Sequence, residues 1–87
     1  MKHATPAILD TIEPLLDEIR ALGGGVKERS RGIFYLKSRA FLHFHEDPKG
    51  LFADVRDAAG RDFERIDVTG ETGRRALLAA ARERLMG

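Results

Sequence analysis

The stretch AFLHFHEDPKGLFADVR, residues 40–56, holds two alternating runs around a turn, and its register decides the fold. Asp47, Pro48 and Gly50 fall at positions i, i+1 and i+3 of a four-residue turn, where a type I turn favours them. Closing the hairpin there pairs Glu46 with Leu51, Phe44 with Ala53 and Leu42 with Val55 on one face. The other face then pairs His45 with Phe52, His43 with Asp54 and Phe41 with Arg56. Side chains alternate across a strand, so this register turns sequence into two surfaces.

Working outward, KSR (37–39) separates GIFYL from the histidine run. A three-residue loop there pairs Phe34 with Leu42, Leu36 with Ala40, Ile33 with His43 and Tyr35 with Phe41. A loop of another length would shift Phe34 and Leu36 across the sheet. RSRG (29–32) and DAAG (57–60) read as further turns, the register of the latter leaving open whether Phe63 or Ile66 points inward. Connections this short suit antiparallel strands and admit no parallel crossover. Four or five strands are expected, the first over Val26–Arg29.

Helical patterns flank the strands. Ile8, Ile12, Leu15, Leu16, Ile19 and Leu22 recur at three- and four-residue steps, one buried stripe. Pro14 interrupts it, so the helix either starts near Thr11 or starts at Pro6 and kinks. Gly23–Gly25 ends it. Leu77, Leu78, Ala81 and Leu85 form a second stripe, with Thr69 or Thr72 as N-cap. The expected fold is a single α+β domain over residues 1–87. It has an N-terminal helix, an antiparallel meander and a C-terminal helix, with both helices on the sheet face that carries Phe34, Leu36, Leu42, Phe44, Leu51, Ala53 and Val55.

Composition bounds the function. The 87 residues carry fifteen basic and fourteen acidic side chains and no cysteine. Near-neutrality argues against a dedicated nucleic-acid binder, and the lack of cysteine rules out zinc ribbons and disulfides. No run is long and apolar enough for a membrane span, and MKHATPAILD lacks the apolar core of a secretory leader. The expectation is a cytoplasmic bacterial protein without a cofactor.

The second sheet face carries Ile33, Tyr35, Phe41, His43, His45, Phe52, Asp54 and Arg56. It is too apolar for a fully solvated surface and too polar for a core, which points to a contact surface. Tyr35, Phe41, His43, His45, Phe52, Asp54 and Arg56 are the candidate contacts for a protein partner, a second copy or a small anionic ligand. His43 and His45 project the same way, about 6.5–7 Å apart at Cα, and Asp54 could complete a two-histidine, one-carboxylate metal set. The simpler reading pairs His43 with Asp54 across the strands and packs His45 on Phe52. That pairing would raise the His43 pKa. Arg56 beside Phe41 and Tyr35 would make an anion-accepting corner. No nucleophile stands beside the histidines, so an enzymatic reading is disfavoured. A basic strip of Lys27, Arg29 and Arg31, with the helix arginines, leaves a nucleic-acid accessory role as a further alternative.

The strand FLHFHED resembles those of small stand-alone bacterial domains of unassigned function. The α–meander–α order is similar to YjbR-like small domains. That resemblance implies a fold and carries no activity or site residue.

Overall fold

A computed structural model describes residues 2–86. A two-residue strand β1 (Lys2–His3) leads into α1 (Pro6–Thr11) and α2 (Glu13–Arg20). The meander follows as β2 (Lys27–Ser30), β3 (Ile33–Leu36), β4 (Arg39–Asp47), β5 (Gly50–Arg56) and β6 (Phe63–Asp67), then α3 (Glu71–Met86). The sheet order is β2-β3-β4-β5-β6, every pair antiparallel, and β1 pairs with the far end of β4. The helices pack on one sheet face, where α3 meets β5, β6 and α2. No helix among the described residues is long and apolar enough to cross a membrane.

The β4–β5 register is the one the turn chemistry predicts, from Leu42 opposite Val55 to Asp47 opposite Gly50. Asp47 caps the turn by accepting the Lys49 N–H at 2.9 Å, as aspartate does at position i. Phe34, Leu42, Phe44, Leu51, Ala53 and Val55 are buried together, with Leu36 packed at the margin. From the helices come Leu9, Ile12, Leu15, Leu16, Ile19, Leu77, Leu78 and Ala81. Burying each large apolar side chain contributes roughly 1.5–3 kcal/mol.

Three features depart from the sequence reading. The β3–β4 loop has two residues, Lys37 and Ser38, both at positive φ (53° and 68°), the pattern of a tight I′ hairpin turn. Such a loop alone would flip β3, but a bulge restores the register. Phe34 still faces Leu42 and Ile33 still faces His43, while Tyr35 faces Ala40 and Leu36 faces Arg39. The residue absorbed by the bulge is Phe41. It is only 2% exposed and belongs to the core, so it leaves the histidine face where it was expected.

The second departure is at the N-terminus. The helical stripe is split at Ile12 into two helices, and Pro14 sits in the first turn of the second, where a missing N–H costs nothing. The first begins at Pro6, capped by the Thr5 hydroxyl accepting the Ile8 N–H at 3.4 Å. The third is the start of α3. Neither threonine acts as its cap: Thr72 lies inside the helix, and the Thr69 hydroxyl accepts the Leu51 N–H at 3.0 Å. Gly73 then lets the first turn of α3 lie on the backbone of β6, for a Cβ there would overlap the Asp67 carbonyl oxygen.

One ion-pair network ties α2 to β2. Arg20 forks onto Glu28 (Nε to Oε1 2.6 Å, Nη2 to Oε2 3.0 Å) and also reaches Glu13 and Asp17. Glu28 accepts the Gly32 N–H as well, at 2.8 Å. The Arg20 guanidinium, opposed by partial burial, holds the Glu28 carboxyl below its ordinary value of 4.5. A folded pKa below the unfolded one stabilises the fold above the unfolded value, and that contribution is lost as pH falls through the folded value. Stability should therefore decline below about pH 4.5, and Glu28→Gln should flatten that decline. Denaturant midpoints measured across the acid range check this; an unchanged slope in the variant would remove Glu28 from the account.

Candidate functional site

The sheet face away from the helices places the three histidines of the chain side by side. His43 and His45 stand two apart on β4, and β1 sets His3 opposite His45. Their ring centroids lie 4.7 Å (His43–His45), 5.1 Å (His3–His45) and 5.8 Å (His3–His43) apart. Each offers a ring nitrogen, and those three nitrogens lie within 4.8 Å of one another. The arrangement is held by the residues that follow β1. Ala4 N–H donates to the Phe44 carbonyl at 3.1 Å, and Thr5 N–H donates to the Glu46 carboxylate at 2.7 Å.

Asp54 faces His43 in backbone register, but its carboxylate turns elsewhere. Oδ2 lies 3.1 Å from His45 Nε2. Arg65, the β6 residue opposite Asp54, forks onto both oxygens at 2.8 and 3.0 Å. At 7% exposure, Asp54 needs such partners to remain charged. The Arg65 hydrogen bond, outweighing burial, lowers its pKa. A carboxylate only accepts hydrogen bonds, so a hydrogen bond across this 3.1 Å approach requires the proton on Nε2 and leaves Nδ1 for another partner.

His43 is therefore not the partner of Asp54. Its Nδ1 is buried with no hydrogen-bond partner among the described residues, and its ring packs edge-on against Phe63 at 4.7 Å. Burial, reinforced by the neighbouring His45, lowers its pKa, opposite to the rise that an Asp54 pairing would give. The shift favours the neutral imidazole, the form that ligates metals.

The remaining predicted residues separate. Arg56 donates from Nε and Nη2 to the Ala40 carbonyl at 3.1 and 2.6 Å, and from Nη1 to the Arg61 carbonyl at 3.3 Å. Its guanidinium also covers the Phe63 ring at 4.1 Å. With its fork turned to backbone, Arg56 makes no anion-accepting corner with Phe41. Tyr35 lies instead beneath Arg29, 4.9 Å away. Phe52 is half-buried opposite His45 and Asp67. Of the basic strip, Arg31 is paired with Asp10 and Glu13, and Arg75 and Arg84 on α3 are paired with acids too.

Sequence reasoning missed His3 and Arg65. His3 lies in a segment with no strand pattern, and Arg65 could be placed only by a register that the β5–β6 loop left open. No protein-family model matches the chain, and neither a curated protein nor a solved structure is significantly similar to it.

Proposed function

We propose that this chain is a small binding domain whose open sheet face takes a divalent transition metal at His3, His43 and His45. The observation that carries this is the convergence of three imidazoles, one held by a buried carboxylate. Metal-bound histidines characteristically give their other ring nitrogen to such a carboxylate, which fixes tautomer and orientation. Asp54 stands in that relation to His45, and Arg65 holds Asp54. It thus serves behind the ligands instead of among them, in contrast to the set of His43, His45 and Asp54.

Metal–nitrogen bonds of about 2.0–2.1 Å put the nitrogens of a tetrahedral site roughly 3.4 Å apart. Nitrogens already within 4.8 Å need only a small inward movement, and His3, exposed on a two-residue strand, can supply most of it. Three neutral nitrogens without thiolate or first-rank carboxylate favour zinc, nickel, cobalt or copper over magnesium or calcium. A protein partner has less to recommend it here, since among the described residues Phe63 is the only large apolar side chain on this face exposed even to 37%.

Calorimetric titration of the intact protein with zinc and nickel salts should give one site per chain. The ring resonances of all three histidines should shift together. His43→Ala or His45→Ala should weaken binding about a hundredfold, and calcium should not bind. Absence of a saturable shift at micromolar zinc, or affinity indifferent to both substitutions, would refute the reading.

A further inference from the structure

A second site lies at the other end of the molecule and does not depend on the metal reading. The α2–β2 loop and the β3–β4 turn face one another across a groove of about 280 Å³. It is lined by Gly24, Gly25, Lys27, Arg29, Tyr35, Leu36, Lys37 and Ser38. Three of these are cations and none is an acid.

The charge balance makes this placement informative. The chain carries a net charge of only +1, and its other cations are largely committed. Arg20, Arg31, Arg65, Arg75 and Arg84 are in ion pairs. Arg39, Arg56 and Arg74 donate to backbone carbonyls. Among the described residues, Lys27, Arg29, Lys37, Lys49, Arg61 and Arg82 make no ion pair, and the first three border this one groove.

Its backbone points the same way. Gly24 and Gly25 hold φ of 67° and 89°, a conformation open to glycine at little cost. The Val26 N–H closes that loop on the Gly23 carbonyl at 3.3 Å, and the Gly24 and Gly25 N–H groups between them have no acceptor among the described residues. Unpaired backbone N–H groups beside convergent cations are what a phosphoryl group recruits, since each oxygen accepts a charge-assisted hydrogen bond.

We infer that this groove binds a phosphorylated small molecule, its phosphoryl group held by Lys27, Arg29 and Lys37 with the Gly24 and Gly25 amides. A nucleic-acid strand fits less well, because the charge does not continue as a track. On the α2 side Arg20 and Arg31 are already neutralised by Glu13, Asp17, Glu28 and Asp10.

The test is an amide NMR titration of the intact protein at low salt with inorganic pyrophosphate and, separately, adenosine diphosphate. Saturable shifts are expected at Gly24, Gly25, Lys37 and Ser38, with affinity falling as salt rises. Tighter binding of the nucleotide, with additional shifts at Tyr35, would identify a nucleoside phosphate; equal affinity would identify the phosphoryl group as the whole determinant. Lys27→Gln, Arg29→Gln and Lys37→Gln lie at exposed positions, so folding should survive. Each should weaken binding roughly tenfold. Shifts scattered over the surface, or affinity unmoved by the three substitutions, would overturn the proposal. So would a single-stranded oligonucleotide that binds more tightly than either probe and shifts the α3 arginines.

Discussion

Phe44→Ala should come close to unfolding the protein, while His43→Ala and His45→Ala, its immediate neighbours, should leave it folded. Phe44 is 2% exposed at the centre of the core. Truncating a buried phenylalanine costs about 3–5 kcal/mol, transfer and cavity together. A domain of this size has only about 5–15 kcal/mol in all. His43 projects from the opposite face, and its Nδ1 is already without a partner. Removing it relieves one buried polar atom while opening a little space beside Phe63, a net change of about 1 kcal/mol or less. Urea midpoints of the variants make the comparison. Equal losses for Phe44→Ala and His43→Ala would mean that β4 does not divide its side chains as described.

Asp54→Asn should weaken metal binding by about ten- to a hundredfold without unfolding the domain. A carboxylate 3.1 Å from Nε2 favours the tautomer with the proton there, which leaves Nδ1 for the metal. An asparagine can turn its amide toward His45 and donate instead, favouring the other tautomer, whose Nδ1 carries the proton. Arg65 is half exposed and can solvate its charge in water once its fork is gone, so the stability cost stays small. Nitrogen shifts of the His45 ring read the tautomer directly, and a zinc titration reads the consequence. An unchanged tautomer and affinity in the variant would mean that Asp54 serves β5–β6 pairing alone.

Much of this was legible because the β4–β5 hairpin is specified twice, by its turn and by its alternation. Asp47, Pro48 and Gly50 fix the register, and the apolar set from Leu42 to Val55 allows no other. The β3–β4 connection is specified only once. Lys37 and Ser38 are not residues that announce a left-handed turn, so the bulge that buries Phe41 has no local signal. For the site, backbone register placed Asp54 opposite His43 but could not say which neighbour its carboxylate would choose. That choice depends on Arg65, whose register hung on a loop closed by Asp57, which accepts the Arg61 N–H at 3.1 Å. His3 was out of reach for a different reason: two residues are too few to show a period, and β1 exists because β4 offers it a flank.

That flank bears on an exposed sheet edge. β3 pairs with β4 only over Arg39–His43, whereas β4 runs on to Asp47. β1 takes up the rest by pairing with His45 and Glu46, and Ala4 satisfies the Phe44 carbonyl. Without those residues, three successive positions in the second half of a long strand would present open backbone, a template on which the same strand of another molecule could add. The short N-terminal arm therefore covers that edge as well as carrying His3.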